Sequence, residues 1–186
     1  SFNDFAFYDS NINEISVPSK LMHYKSKWGT RTSKMNKIKV IPSEVQNISC
    51  IENGLIVGKT NFESDQFDIL LFAPRNPGKE ENIAKTIEIP SYVKIINQYA
   101  FNRCQKIEKV EFQKNSILEI IEYNAFALST IKEISLPPSV TIMKEGAFSE
   151  SSIESIFIPS HVKEIGNDCF SKCKQLKSLI FETDSL

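Results

Sequence analysis

Glycine is scarce here, with six in 186 residues, and histidine scarcer still, with two. So few glycines leave little raw material for phosphate-cradling loops or a nucleophile elbow, which need flexible backbone at fixed spacing. The two histidines, His23 and His161, each follow a V-P-S or an I-P-S triplet. Both read as solvent-facing turn residues rather than metal ligands or general bases, and no metal-protease helix motif is present. The expectation is a protein that is not an enzyme and needs no cofactor.

Long apolar runs are missing too, since none approaches the roughly 18 consecutive apolar residues of a membrane helix. The opening residues S-F-N-D-F-A-F lack the basic start and apolar core of a signal peptide. They read as the middle of a repeat, and the final S-L-I-F-E-T-D-S-L stops inside another. A piece of a longer protein, or an array lacking polar caps, is therefore expected. A net charge of -1 argues against nucleic-acid or membrane-surface binding by the chain as a whole. At 41% hydrophobic and 24% charged, the chain has enough apolar material to bury a core.

What the sequence does have is repetition. A strand-like half-motif, apolar-x-x-apolar-x-apolar, occurs as Ile12/Ile15/Val17, Ile107/Val110/Phe112, Ile131/Ile134/Leu136, Ile153/Ile156/Ile158 and Leu176/Leu179/Phe181, with Ala84/Ile87/Ile89 as a weaker copy. Its last two apolar positions alternate with polar ones, as in a strand with one buried face. A second half-motif begins on the same apolar residue: apolar-Pro-Ser/Pro-x-apolar-x-x-apolar, at Val17, Ile41, Ile89, Leu136 and Ile158. Proline lacks a backbone donor and fixes φ, so each copy ends its strand and turns the chain. A third element pairs a small residue with phenylalanine: Ala6-Phe7, Ala100-Phe101, Ala125-Phe126, Ala147-Phe148 and the variant Cys169-Phe170.

Spacing links the three. The small residues 100, 125, 147 and 169 lie 25, 22 and 22 apart. A unit of this length falls in the window of about 20–29 residues typical of leucine-rich repeats. Four residues after each small residue stands Ser10, Cys104, Ser129, Ser151 or Cys173. That alternation reads as a small inward slot, so free buried thiols are the main reading for the cysteines. A disulfide or metal is the alternative, but C-x-x-x-C at Cys169 and Cys173 is a weak zinc signature by itself.

Two stretches break the pattern. Residues 20–39 carry seven lysines and arginines and no acid, with Trp28 at the offset from Pro18 that Ala100 has from Pro90. Lys25, Lys27, Arg31, Lys34 and Lys37 form a candidate basic patch for an acidic surface; a solvated loop is the plainer alternative. Residues 53–78 hold two apolar runs around a polar loop, G-L-I-V-G and F-D-I-L-L-F-A-P-R-N-P-G, and predict a β-hairpin near 54–73 grafted into the array. Asn47-Ile48-Ser49 is the one glycosylation sequon, usable only if Asn47 faces outward.

The I-P-S-x-V-x-x-I, A-F and I-x-x-I-x-I series resembles the BspA-like leucine-rich repeats, also called the Treponema pallidum type. The inserted N-G-L-I-V-G … D-I-L-L-F-A-P-R-N segment resembles one common in the protist branch of that family. The resemblance covers Phe5 to Phe181 and is strongest from Ile87 onward. It implies a curved solenoid with a parallel β-sheet on its concave side, and a role as a cell-surface antigen mediating adhesion.

The expected fold is a right-handed α/β leucine-rich-repeat solenoid of about eight turns with little regular helix. It forms one domain over 1–186: a partial repeat at 1–19, degenerate repeats with the hairpin insertion at 20–86, and regular repeats at 87–186. If each strand buries its apolar pair, the residues between point outward. Glu88, Lys109, Glu111, Glu133, Ser135, Ser155, Phe157, Ser178 and Ile180 then form a candidate concave binding face, acidic at its centre and apolar at Phe157 and Ile180. The alternative is that another repeat covers it. The expected function is protein–protein recognition, at the cell surface by resemblance, or in a cytoplasmic scaffold if the thiols are reduced.

Overall fold

The computed structural model describes residues 10–21, 35, 37–75 and 85–183. Among them the chain runs through β1 (Glu14–Pro18), β2 (Lys37–Ile41), β3 (Ile48–Cys50), β4 (Ile56–Gly58), β5 (Ile69–Phe72), β6 (Thr86–Ile89) and β7 (Ile95–Ile96). It continues through β8 (Lys109–Phe112), β9 (Ile120–Ile121), β10 (Glu133–Ile134), β11 (Ile142–Met143), β12 (Ser155–Ile158), β13 (Glu164–Ile165) and β14 (Ser178–Phe181). The one helical segment among the described residues is a 3-10 turn at Glu52–Gly54. The fold is a β-solenoid of mostly parallel strands with little regular helix.

Each half-motif makes its own sheet. The apolar-x-x-apolar-x-apolar segments give β6, β8 and β10 in parallel, and β12 with β14 in parallel. A bridge from Ser135 to Phe157 joins these two groups into one face. The residues that follow each I-P-S turn give the two-residue strands β7, β9, β11 and β13, which lie side by side in a second sheet. Proline closes the first strand, as at Pro90 after β6 and Pro159 after β12. Where the proline is replaced, a side chain takes over the corner. Gln113 Oε1 accepts the Ser91 N–H at 3.1 Å, and Glu182 Oε2 accepts the Ser160 N–H at 3.0 Å.

The return turn carries two left-handed residues four apart in four successive coils: Tyr99 and Arg103, Asn124 and Leu128, Gly146 and Glu150, Asp168 and Lys172. These reversals let the small residue and its phenylalanine turn inward. Ala100, Phe101, Ala125, Phe126, Ala147 and Phe148 are fully buried. The rings stack from coil to coil, with centroids 4.8 Å apart for Phe101–Phe126, 5.0 Å for Phe126–Phe148 and 5.5 Å for Phe148–Phe170. Beside them Ile87, Val110, Ile134 and Ile156 fall on neighbouring rungs, are buried, and are followed by Leu179. The predicted register is the observed one.

The small slot is also inward. Cys104, Ser129 and Ser151 are buried, and Ser129 Oγ donates to Phe126 O at 2.7 Å while Cys173 Sγ donates to Phe148 O at 3.0 Å. Serine and cysteine each hand a proton to a backbone carbonyl there, Ser129 within its own turn and Cys173 across to the preceding coil. All four cysteines are free thiols, with Cys104 and Cys169 buried and Cys50 exposed.

The hairpin is present and is more than an appendage. β4 pairs antiparallel with β5, as expected, and β3 pairs antiparallel with β4. β5 then pairs parallel with β7, so the returning strand is the first rung of the second sheet. Its strands are buried on both faces. Val57 and Leu70 pack into the cluster with the phenylalanine column, whereas Ile56, Ile69, Leu71 and Phe72 pack into another with Val17, Met35 and Ile38. The hairpin sheet thus divides two cores. That explains its continuous apolar runs, which a one-faced strand would not need.

Arg75 closes the junction. Its guanidinium is fully buried and donates from Nη2 to Tyr99 O at 2.8 Å and from Nη1 to Ala100 O at 2.6 Å. It also lies 4.6 Å from the Phe72 ring centroid. Burial pushes its pKa down, opposed by the neighbouring Cys104 sulfur.

Asn47 does not meet the condition set by the sequon. It is 1% exposed, its Nδ2 donates to Lys20 O at 3.3 Å, and Ile48 beside it is buried. A glycan there would have to displace the packing around the side chain. Ala6-Phe7, His23 and Trp28 lie outside the described residues.

Candidate functional site

The outward positions of the first sheet form rows because the strands are in register. Glu88 stands opposite Glu111. One rung on is Ser135, bridged to Phe157, which stands opposite Ile180. A neighbouring row holds Thr86, Lys109 and Glu133 on paired strands, then Ser155 opposite Ser178. All nine residues named from the sequence are therefore on one sheet face, and none is fully buried. Phe157 is 46% exposed and Ile180 52%. Phe157 lies on an interior rung, so its exposure comes from its outward direction and not from an open end.

Charge is unevenly spread over this face. Lys109 Nζ lies 2.9 Å from Glu111 Oε1 and 3.7 Å from Glu133 Oε2. Its pKa is raised, first by the hydrogen bond to Glu111. Glu88 Oε2 accepts from Gln113 Nε2 at 3.2 Å. Two carboxylates therefore share one ammonium at this end of the row, and the third, Glu88, accepts from an amide. At the other end, Ser155 and Ser178 flank Phe157 and Ile180, and the row is apolar. Ser135, the smallest residue between the two ends, sits in a depression lined also by Lys132, Glu133, Glu154, Ser155 and Phe157.

Reading the sequence one row short missed a neighbouring feature. From Ala84 onward, the residue after the first apolar position of each strand motif is Lys85, Glu108, Lys132, Glu154 and Lys177 in turn. Alternating signs on successive rungs pair across the coils. Glu108 takes Lys85 at 2.9 Å and Lys132 at 3.0 Å, and Lys177 lies 3.7 Å from Glu154. Hydrogen bonds from Lys85 and then Lys132 hold the Glu108 carboxyl below its usual range. The alternation was visible once the copies were aligned by their apolar residues. This ladder pairs its charges internally, three lysines to two glutamates, and borders the face on one side.

Of the candidate basic patch, Lys25, Lys27, Arg31 and Lys34 lie outside the described residues. Lys37 is on β2, in the two-stranded sheet with β1, and its Nζ lies 3.7 Å from Glu14 Oε1. It is thus on a different sheet from the face above. Among the described residues no group of three or more His, Cys, Asp or Glu side chains stands close enough to hold a metal ion, and no helix is long and apolar enough to cross a membrane. His161 is exposed in its turn.

The sequence profile of the BspA type leucine rich repeat region matches residues 1–64 and 79–185, in six copies. Solved structures share the fold. A leucine-rich repeat protein from Eubacterium ventriosum aligns at 23% identity and a TM-score of 0.62, over 97% of this chain and 39% of its own. A leucine rich cell surface protein from Faecalibacterium prausnitzii aligns at 18% identity and a TM-score of 0.63, over 98% and 51%. The pneumococcal vaccine antigen PcpA aligns at 18% identity and a TM-score of 0.65, over 98% and 54%. The chain thus spans between about four and five and a half tenths of the length of these structures. No curated protein matches the chain.

Proposed function

The chain belongs to the family of BspA type leucine-rich repeat proteins, and on that premise we propose that it is a non-enzymatic protein-recognition module presented at a cell surface. The working part is the outward row of the first sheet, taken as the concave side of one array over residues 1–186. Its mechanism is that of a preformed surface. The backbone of each rung is already hydrogen-bonded, so little ordering accompanies binding.

The observation that carries this reading is the exposed pair Phe157 and Ile180, in register on adjacent rungs beside a row of carboxylates. Aromatic and aliphatic anchors with a polar rim are the usual make-up of a binding centre. A surface location is supported by two of the similar structures, one described as a cell surface protein and one as a vaccine antigen. The segment 53–76 supports a place in the protist branch of the family.

A photo-crosslinking amino acid at Ser135, compared with one at Thr141 just before β11, tests the face. Adducts to cell-surface or matrix proteins are expected from position 135 and not from 141. Equal labelling from both positions would remove the face as the binding site. Surface biotinylation of intact cells tests the location. A second reading, an intracellular scaffold, is favoured by the four free thiols; a chain never labelled on intact cells would establish it instead.

A further inference from the structure

We propose that the partner docks as an extended segment laid across the rungs, presenting an apolar side chain and a basic side chain four residues apart on one edge. The inference rests on the recognition reading above and names the chemistry that the face selects.

Two properties of the row carry it. The first is polarity along its length. Glu88 and Glu111 occupy one end, Phe157 and Ile180 the other, and Ser135 separates them. With Glu133, the acidic end holds three carboxylates against one ammonium, Lys109, leaving an excess of negative charge for a partner to meet. The flanking ladder, in which Lys85 and Lys132 engage Glu108 and Lys177 engages Glu154, carries one net positive charge, which reduces that excess without cancelling it. Complementarity therefore asks for a cation over Glu88 and Glu111 and an apolar group over Phe157 and Ile180.

The second property is spacing. Neighbouring rungs lie about 4.8 Å apart, so Ile180 to Glu111, three rungs, spans about 14 Å. An extended segment puts residues i, i+2 and i+4 on one edge, with i and i+4 about 13 Å apart. The two repeats match when residue i rests on Phe157 and Ile180, and residue i+4 reaches Glu111 and Glu88. Residue i+2 then falls over Ser135, where the depression lined by Lys132, Glu154 and Ser155 leaves room for a small side chain. A helix would place i and i+4 only about 6 Å apart, too close to bridge both ends.

Selection from a library of displayed random twelve-residue peptides on the intact 186-residue chain tests this. Enrichment of Lys or Arg four positions from Leu, Ile, Phe or Trp is expected, in either chain direction. The E88K/E111K double variant should move the selected charge from basic to acidic. F157S/I180S should weaken binding of the enriched peptides at least tenfold, with an unchanged circular dichroism spectrum, since both side chains are exposed. Enriched peptides without the pattern, or no enrichment at all, overturn the inference. Peptides that lack the pattern but are lost in F157S/I180S would do so while leaving the face as the recognition surface. Loss of Ser135 crosslinking, by contrast, would fail the face itself.

Discussion

The ring of Phe126 lies on that of Phe148 with centroids 5.0 Å apart and planes 7° from parallel. The pair is the centre of a column running from Phe101 to Phe170, and both rings are fully buried. In a stacked array each coil is held mainly by its neighbours. Truncating an interior ring removes contacts to both sides at once. Phe126→Ala and Phe148→Ala should each cost about 3–5 kcal/mol, read as a shift of the urea midpoint. Phe170→Ala should cost less, because Phe170 is only partly buried and stacks on one ring. Equal losses at 148 and 170 would contradict a column held by two-sided packing.

Arg75 makes a second test, at the seam between the hairpin and the regular coils. Removing the guanidinium takes from the carbonyls of Tyr99 and Ala100 one of the two donors each has, while Tyr99 O keeps the Asn102 N–H and Ala100 O the Ala73 N–H. Each hydrogen bond lost to a charged donor costs about 1.5–3 kcal/mol, and a cavity adds to that. Arg75→Ala is expected to destabilise by about 3 kcal/mol or more on that basis. Arg75→Lys should recover only part, since one ammonium cannot reproduce the fork that meets both carbonyls. Thermal denaturation of the two variants beside the parent chain measures the difference.

The coil register, the hairpin and the inward slot were legible in the sequence because each has a short-range signature. Proline after an apolar alternation marks a corner, and a small residue beside phenylalanine marks the return turn. Ile87, Val110, Ile134 and Ile156 line up as their spacing required. Other features were not legible. The second sheet rests on two-residue strands such as Ile95–Ile96, too short to show alternation. Arg75 sits in an apolar stretch that gives no sign that its charge is buried against carbonyls from another coil. The two cores divided by β4 and β5 depend on what packs against the hairpin's second face, which is a long-range matter. On the candidate face, the outward direction of each side chain followed from alternation, whereas the Lys109–Glu111 pairing and the dip at Ser135 needed coordinates.

Leu128 holds φ at 59°. In the preceding coil that place is taken by Arg103 and in the following one by Glu150, also left-handed. A β-carbon in this region costs about 1–2 kcal/mol relative to glycine. Leu128→Gly relieves that strain at a half-buried site and gives up some apolar contact. Glycine's extra freedom in the unfolded chain takes back about 0.5–1 kcal/mol of this, so a net gain of at most about 1 kcal/mol is expected, seen as a higher urea midpoint. A loss instead would mean that the leucine side chain packs more tightly than its partial exposure implies.

Glu108 gives the charge ladder a pH signature. Its folded-state pKa is below the unfolded one, first because of the Lys85 hydrogen bond and then that of Lys132. A depressed carboxyl stabilises the fold fully above the ordinary carboxylate range and loses that effect as pH falls through the lowered value. Glu108→Gln should therefore be less stable than the parent at neutral pH. The two should converge as pH drops below about 4, the ordinary carboxylate value. The gap at neutral pH should also narrow in high salt, because the side chains are exposed. Urea melts at pH 7 and pH 3 check the convergence.

Cys169 carries the opposite signature. It occupies the place that Ala100, Ala125 and Ala147 hold in the other coils, and it is buried. Desolvation pushes its thiol up to about 12 from an ordinary 9.0. For an acid whose folded pKa is raised, the unfolded chain loses the proton first as pH rises. Stability is then unaffected below the unfolded pKa and falls between 9.0 and about 12. Cys169→Ala removes this source of alkaline sensitivity. Because alanine is the native choice in three neighbouring coils, the variant should change stability at pH 7 by no more than about 1 kcal/mol. At pH 10.5 the variant should gain relative to the parent, and in urea melts the two curves should separate only on the alkaline side. The same burial predicts the order of alkylation in the folded parent at pH 8: Cys50 reacts, and Cys104 and Cys169 do not until urea is added. Rapid labelling of Cys169 without denaturant would mean that the last coils open far more readily than a continuous phenylalanine column allows.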